Sequence, residues 1–382
     1  MSVYFDHNAT SPLHPEVLEA MMPYLRNPVA NASSLHSAGR LARSAIETAR
    51  AQVAELLNTT PDSVIFTSGG SEANNLVLKG FIDFADPRPI ISTGIEHPSI
   101  IEPLKQLEKL GQKVIHLPVN SDGEVDLAEA QAILQQHSPK LLSVMLANNE
   151  TGVIQPVKAL AELVSDESCL KHSDVIQMAG KLPVDIKALG VDAVSLAAHK
   201  LQGPQGIGAL VVRNKPKQPL ISGGAQEKYK RAGTESVAMI VGMGKAAQLA
   251  ALEIDDKRHH INRLRSVFES KLSAIPGVVV FGEEVDRLPN TTYFSIPYYH
   301  GETLLMELDK AGFALSSGSA CHSEVTRASH VLQSMGVEDQ LALNAIRVSL
   351  GTGNDVQQIN ALINRLETLI NKLPAIIRQA AI

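Results

Sequence analysis

Only two of the 382 residues are cysteines, Cys169 and Cys321. Two cannot build a disulfide framework, so a reducing cytoplasm is the expected setting. Basic charge is not in excess either: the formal net charge is -6 and no basic cluster occurs, which gives no electrostatic footprint for nucleic acid. No apolar run approaches the roughly 20 residues that span a bilayer, and the N-terminal residues lack a signal-peptide pattern. Neither a membrane nor a nucleic-acid partner is expected. No internal repeat or low-complexity tract is visible. What remains is ordinary globular composition, 44% hydrophobic and 19% charged, in a chain too long for one small core. Two domains are expected.

The stretch around which the chain is organised is 195–208, S-L-A-A-H-K-L-Q-G-P-Q-G-I-G. An apolar run over 192–198 predicts a buried strand, which ends at His199 and Lys200. A glycine- and proline-punctuated loop then turns into a second strand over 208–213. A lysine where a buried strand runs out either reaches water or is chemically used. A Schiff-base lysine removes the cost of burying the charge and explains the glycines as room for a cofactor. The stretch alone leaves both readings open.

Strands are predicted over 63–67, 89–93, 113–118, 141–147, 171–175, 192–198 and 208–213, with helical patterns between most of them. Helices are expected over 14–26 and over 37–57, the latter with Leu41, Ala45, Ala49 and Val53 on one face. This alternation predicts an α/β domain with a mainly parallel seven-stranded sheet covered on both faces. A helical pattern over 235–272, with Leu249, Leu252, Ile261 and Leu264 among its apolar positions, is long enough to connect two domains. A smaller α+β domain follows. The expected division is a large α/β domain over 14–255 and a small one formed by 1–13 and 256–382.

Polar clusters fall at the predicted strand ends, where open α/β sheets bind ligands. Ser68-Gly69-Gly70-Ser71 leaves a strand and opens a helix, so its amides can hold an anion, with Ser71 adding a hydroxyl. The absence of a following lysine excludes a Walker A loop. His97 follows the next strand, Asn148-Asn149-Glu150-Thr151-Gly152 a third, and His172 to Gln177 a fourth. A pyridoxal 5′-phosphate enzyme needs a lysine for its aldimine, an anion cup, a carboxylate on the ring nitrogen and a flat group over the ring. Lys200, Gly70 with Ser71, Asp174 and His97 supply one each. No metal site is expected.

The chain resembles the cysteine desulfurases of the NifS/IscS kind, class V, fold-type I pyridoxal-phosphate enzymes. The resemblance runs through Asn8-Ala9-Thr10, Thr67-Ser68-Gly69-Gly70-Ser71-Glu72, Glu96-His97, the Asn148 to Gly152 motif, Asp174 with Gln177, and His199-Lys200. It continues through Arg231-Ala232-Gly233-Thr234-Glu235, Ser316-Ser317-Gly318-Ser319-Ala320-Cys321 and Arg347-Val348-Ser349-Leu350-Gly351. It implies that Lys200 is the Schiff-base lysine, with His97 stacked on the ring and Asp174 on its nitrogen. It further implies that Gln177 and Asn149 meet the ring hydroxyl and nearby substrate groups. Gly70, Ser71 and His199 would contact the phosphate, and Thr234 would reach it from the second subunit of a homodimer. Arg347 would clamp the carboxylate of the substrate, L-cysteine, beside Asn8 and Asn149. Cys321, on a small polar loop suited to movement, would be the nucleophile that takes the sulfur as a persulfide. The sulfur would then pass to a protein acceptor such as an iron–sulfur scaffold or a tRNA-thiolation protein. Cys169, beside Asp166 and Glu167, reads as structural.

Two departures from the family pattern stand out. Ala197 occupies the position three before the lysine where relatives usually place a phosphate-binding serine. The family's Gly-Gly-Gly-Gln-Glu-Arg-Gly stretch appears as Gly223-Gly224-Ala225-Gln226-Glu227-Lys228-Tyr229. Competing expectations keep the fold: a selenocysteine lyase would use nearly the same site, and an aminotransferase would have no use for the thiol loop. A non-catalytic sulfur relay predicts damage to Lys200, Asp174 or Cys321, and all three are present.

Overall fold

The structure is a computed structural model that describes residues 2–26, 30–213, 216–297, 299–317 and 328–372. A short strand, β1 (Val3–Tyr4), and two helices, α1 (Pro15–Arg26) and α2 (Ser37–Leu56), come first. The strand–helix alternation follows as β2 (Val64–Thr67), α3 (Gly70–Gly80), β3 (Ile90–Thr93), α4 (Pro98–Lys109), β4 (Val114–Leu117) and α5 (Leu127–His137). It continues as β5 (Leu141–Ser143), α6 (Val157–Leu163), β6 (Leu170–Asp174), β7 (Ala193–Ala197) and β8 (Gly208–Val212). Strands β2 to β8 form one seven-stranded sheet in the order β2-β8-β7-β6-β5-β3-β4.

Six of these strands are parallel, and β8 alone runs antiparallel to both neighbours, β2 and β7. The reason is the link between β7 and β8. It is a short glycine–proline loop with no helix to carry the chain back to the starting edge, so the strand must reverse. Every residue of β2, β3, β5, β7 and β8 is buried, as expected of strands covered on both faces.

Helix α7 (Val237–Leu272) joins the two cores. Its first half packs Ile240, Met243, Ala247 and Ala250 with α1, α2 and the large sheet. Its second half packs Ile261, Leu264, Phe268 and Leu272 into a separate core. Gly244 makes the approach to α2 close: a Cβ there would lie 2.5 Å from the Cα of Ala49. The face that α2 buries is Ala42, Ile46, Ala49 and Val53. The expected Leu41 is instead 69% exposed, and Leu252 of α7 is 76% exposed. Ala49 and Val53 are buried as expected, and in the first half of α2 Ala42 and Ile46 are buried in place of Leu41 and Ala45, because small residues let these two helices meet closely.

The second core lies on a three-stranded antiparallel sheet, β12-β10-β9, made of β9 (Val279–Val280), β10 (Thr291–Ser295) and β12 (Ala345–Ser349). Helices α8 (Gly301–Lys310), α9 (His330–Ser334), α10 (Asp339–Leu343) and α11 (Val356–Asn371) complete this part, with β11 (Phe313–Ala314) pairing in parallel with β1. That pairing buries Phe5 in the second core. The next residues then cross to the large sheet: His7 N–H donates to the Ser349 carbonyl at 3.2 Å, and Ser11 N–H to the His199 carbonyl at 2.9 Å. The N-terminal segment is thus a strap between the two cores, and it passes beside Lys200.

Candidate active site

The anion cup is built by close backbone approach. Gly70 opens α3, and a Cβ on it would meet Ile176 Cδ1 at 2.2 Å and Ala197 Cβ at 3.5 Å. Beneath it, a Cβ on Gly208 would lie 2.6 Å from the Gly69 carbonyl carbon and 2.6 Å from the Leu196 oxygen. Only glycine at 208 lets the turn lie flat on β8. The first amides of α3 have no acceptor within the helix, so they and the exposed Ser71 hydroxyl present donors to an anion. Glu72 caps the turn by accepting from Ser68 N–H at 2.7 Å, and Arg231 holds that carboxylate at 2.8 Å and 3.1 Å. Ala197, paired with Gly208 in the sheet, adds a methyl group beside Gly70.

Asp174 ends β6, nearly fully buried. It accepts from Asn74 Nδ2 at 2.8 Å and from Ile176 N–H at 3.0 Å. Burial raises its pKa, with the Asn74 bond, His97 and Lys200 opposing. His97, at the N-terminus of α4, has its Nδ1 3.1 Å from Ser99 N–H and 2.7 Å from Ser99 Oγ, and its ring is exposed. Lys200 closes a single 3₁₀ turn after β7. Its Nζ donates to the carbonyls of Asn8 and Ala9, the latter at 2.6 Å. Burial, followed by the nearby Arg347 charge, brings its pKa down to about 8. His199 Nδ1 sits 3.2 Å from Thr10 Oγ1, and burial pushes its pKa down to about 4.

A polar network lies behind Lys200. Asn8 is 1% exposed, and its side chain has no capacity left. Its Nδ2 donates to the Asn149 carbonyl at 3.1 Å and Thr291 Oγ1 at 2.9 Å, while Oδ1 accepts from Lys181 Nζ at 3.0 Å and Asn290 Nδ2 at 2.9 Å. The side chain of Asn8, an expected substrate contact, here fixes the strap, and its carbonyl meets Lys200. Gln177 is also engaged, donating to the Asn8 carbonyl at 3.0 Å and accepting from Lys181 at 2.9 Å. Arg347, on β12, donates from Nη1 to the Asn149 carbonyl at 2.8 Å and from Nη2 to Asp6 Oδ1 at 2.7 Å. Its Nε is buried without a partner.

The structure therefore brings Gly70, Ser71, Asp174, Ala197, His199 and Lys200 to the carboxyl ends of β2, β6 and β7, with His97 following β3. Arg347 and Asn149 are bonded to each other at the junction of the cores. Thr234 is exposed, three residues from Arg231. Cys321 lies outside the described residues. Sequence reasoning missed Asn74, Asp6 and Lys181. Each sits next to a motif that was noticed, and each acts by pairing with a distant residue. The His172 cluster also changes meaning: His172 is in mid-strand, held between Ser143 Oγ at 2.9 Å and Ser195 Oγ at 3.0 Å, and burial pushes its pKa down to about 3. Cys169 is buried and its thiol is pushed up to about 12, which fits a structural role. It borders a cavity of about 210 Å³ at the opposite edge of the sheet, where Arg88 pairs with Asp86 and Asp166 and Lys217 with Asp83.

This fold and strand-end site define a class, and comparison with known proteins agrees. The aminotransferase class-V family model matches residues 3–362, and the chain belongs to that family. Within it, the chain is 42% identical over 378 residues to the cysteine desulfurase IscS of Dictyoglomus turgidum, covering 98% of this chain and 96% of the relative. Among solved structures, a NifS-like protein aligns with a TM-score of 0.91 at 36% identity, over 98% of this chain and 100% of the other. SspA in complex with cysteine aligns with a TM-score of 0.79 at 28% identity, over 92% and 99%. The fold is accordingly the fold-type I architecture of NifS-like enzymes, and the relatives named as cysteine desulfurases do not favour the lyase or aminotransferase alternatives.

Proposed function

We propose that this protein is a cysteine desulfurase that converts L-cysteine to L-alanine and moves the sulfur to Cys321, using pyridoxal 5′-phosphate held at Lys200. The observation that carries the reading is the convergence of Lys200, Asp174 and the Gly70–Ser71 turn on one sheet edge. The donor set fits the cofactor. The glycine cradle at 70 and 208 leaves room for a phosphate against the α3 amides, and Asp174 offers a buried carboxylate with only neutral hydrogen-bond donors on it. When bound, the cofactor supplies an electron sink for the pair released at the substrate α-carbon.

The chain's own residues do the rest. A Lys200 amine whose pKa lies near 8 is about one-tenth unprotonated at pH 7 and half at pH 8, far more than an ordinary lysine, so it can take the α-proton at Nζ. Arg347 meets the substrate carboxylate with its planar fork, and Asp6 keeps that fork oriented. The Cys321 thiolate attacks the substrate sulfur. A sulfur–sulfur bond forms, the carbon–sulfur bond breaks with its electron pair left on carbon, and a proton completes the methyl group of alanine. The persulfide needs no external oxidant, and a thiol reductant or protein acceptor then removes the outer sulfur.

The reading extends to a homodimer in which Thr234 reaches the phosphate of the partner subunit. Its support is the exposure of Thr234 on the loop after Arg231. It also extends to a protein sulfur acceptor, an iron–sulfur scaffold or a tRNA-thiolation protein, and to a cytoplasmic setting that keeps Cys321 reduced. The test is to supply pyridoxal phosphate, cysteine and dithiothreitol and to measure alanine and sulfide together. Equal amounts, abolished in both Lys200→Ala and Cys321→Ser, are expected. Alanine without sulfide, or turnover of selenocysteine alone, overturns the assignment.

A further inference from the structure

Lys181 lies behind Lys200, and the proposed chemistry makes no use of it. Gly180 directs it there: with φ of 75° the chain turns inward, and a Cβ at this position would lie 2.6 Å from Leu201 Cδ2. Lys181 then lines a cavity of about 50 Å³ together with His7, Lys200 and Asn290. Its Nζ meets two neutral oxygens, Asn8 Oδ1 at 3.0 Å and Gln177 Oε1 at 2.9 Å. No carboxylate pairs with it among the described residues, and the charges that act on it, those of Lys200 and Arg347, are both positive. Burial first, and these charges second, hold its pKa well below that of an ordinary lysine.

A count of donors and acceptors fixes the direction of each bond. A backbone carbonyl only accepts, so the end of Gln177 that lies 3.0 Å from the Asn8 carbonyl is its nitrogen. The oxygen end is then the one at Lys181, and Lys181 is the donor. Asn8 is fixed in the same way: Nδ2 faces the Asn149 carbonyl, which leaves Oδ1 to Lys181 and Asn290. Two acceptors need two N–H groups, and a lysine has them whether or not it carries its charge. Lys200 Nζ donates to the same Asn8 carbonyl as Gln177 does. The nitrogen end of Gln177 thus shares an acceptor with Lys200, while its oxygen end is held by Lys181.

We propose that Lys181 is a positioning residue that grips the amide oxygens of Gln177 and Asn8 and so keeps the N–H groups of Gln177, not its oxygen, on the Lys200 side. The functional effect rests on the cofactor reading, in which Gln177 meets the ring oxygen of pyridoxal phosphate. An amide held this way can only donate to that oxygen, which favours its ionised form. Gln177 is 6% exposed, so without Lys181 its oxygen is left buried with no donor, and the amide gains by turning. Methionine is the matching substitution, because it keeps an unbranched side chain of similar size and removes the donors.

The test is a cycle of Lys181→Met, Gln177→Leu and the double variant in the full chain. Three quantities are read: the affinity of the apoprotein for pyridoxal phosphate, the ratio of long- to short-wavelength absorbance of the bound cofactor, and the midpoint of guanidinium unfolding of the apoprotein. Lys181→Met and Gln177→Leu are each expected to weaken cofactor binding about tenfold and to lower the absorbance ratio. The double variant should bind within about twofold of Gln177→Leu. In unfolding, the midpoint shift of the double variant should be smaller than the sum of the two single shifts, because leucine leaves no amide oxygen for Lys181 to satisfy. Losses of affinity that multiply, or midpoint shifts that add, overturn the proposal, since Lys181 then acts on something other than Gln177. An unchanged affinity and absorbance ratio in Lys181→Met overturns it too, because the lysine is then only a support of the fold. A wild-type apoprotein that takes up no pyridoxal phosphate sinks the cofactor reading alone, and the unfolding cycle then decides the link between Lys181 and Gln177.

Discussion

Arg347 donates to Asp6 Oδ1 at 2.7 Å, so the guanidinium at the junction of the two cores is paired by a residue of the N-terminal strap. Both side chains are largely withdrawn from water, at 4% and 18% exposure, where a lone charge would be costly. The pair matters for Lys200, on which Arg347 and Asp6 act with opposite signs.

This sets the first prediction. Burial and then the Arg347 charge favour the neutral Lys200 amine, while Asp6 and Asp174 favour the ammonium, with the balance at about 8. The rate at which apoprotein captures pyridoxal phosphate should rise about tenfold per pH unit below that point and flatten above it, where an ordinary lysine would go on rising to about 10.4. Asp6→Asn removes a charge that holds the proton on, so its break should move to lower pH. The measurement is the return of cofactor absorbance after mixing, from pH 6 to 10. A rate still climbing at pH 10, or an Asp6→Asn break at higher pH, contradicts the assignment.

The strand-end residues were legible because their signal is local. Lys200, Asp174, His97 and Gly70 each follow a recognisable apolar run, and parallel strands present their carboxyl ends together. What failed was pairing over long sequence distance. For Asn8, a polar residue in a turn looks the same in the sequence whether its side chain faces a ligand or bonds Thr291 and Asn290, as it does here. Lys181 and Asp6 gave no signal, because their importance lies in partners 173 and 341 residues away. The second half of the α2 face, Ala49 and Val53, was legible, but Leu41 drew the first half one position off Ala42 and Ile46, because leucines outweigh alanines in any hydrophobic tally. One departure was legible as a difference but not as strain. Glu227, Lys228 and Tyr229 all adopt left-handed backbone, with φ of 45°, 57° and 64°, so Tyr229 occupies a conformation that suits the family's glycine. The turn is anchored by Arg50, which holds Glu227 at 2.7 Å and 2.9 Å.

Glu96 gives a prediction about stability. Its Oε1 accepts from Thr93 Oγ1 and Met145 N–H at 2.8 Å and 2.9 Å, but Oε2 is buried without a partner, and burial pushes the pKa up to about 8. The unfolded chain ionises Glu96 near its ordinary value of 4.5, while the folded protein keeps the proton. Stability is therefore full below pH 4.5 and declines as pH rises toward 8, at up to about 1.4 kcal/mol per unit. Glu96→Gln keeps the accepting oxygen and abolishes the titration. A buried amide with no acceptor costs about 1–3 kcal/mol at either pH, so Glu96→Gln should be destabilising by that amount at pH 4.5 and should recover that loss or exceed wild type at pH 8. Guanidinium unfolding at the two pH values checks this. An equal effect at both would show that Glu96 is not held protonated.

Gly208 gives a prediction about the cup. An added Cβ meets backbone atoms of Gly69 and Leu196, which cannot swing aside as a side chain can. Gly208→Ala should push the Ser68–Ser71 turn off β8, weakening cofactor retention tenfold or more, at a cost in stability of about 1–3 kcal/mol. Gly353→Ala, where a Cβ meets nothing within 4 Å, is the control and should change neither. Cofactor loss on dialysis against a competing amine measures the difference. Normal retention in Gly208→Ala would mean that the turn is not seated by this contact.

Ala197 tests whether the cup lacks a donor. Its methyl group lies beside Gly70, where relatives place a hydroxyl, and Ser195 cannot substitute because it is buried on His172 Nε2. Hydrogen bonds to charged groups are worth about 1.5–3 kcal/mol, less whatever an ordered water restores. A net of about 1 kcal/mol, severalfold in affinity, is the expected gain from Ala197→Ser. Lys200 retains the ring in either protein, so the rate with saturating cofactor should not change. Slower cofactor loss during dialysis, with an unaltered maximal rate, is the result that identifies Ala197 as a gap in the phosphate site. Equal retention would mean that the α3 amides and water already satisfy the phosphate. A raised maximal rate would place residue 197 nearer to the reacting atoms than its position at the end of β7 allows.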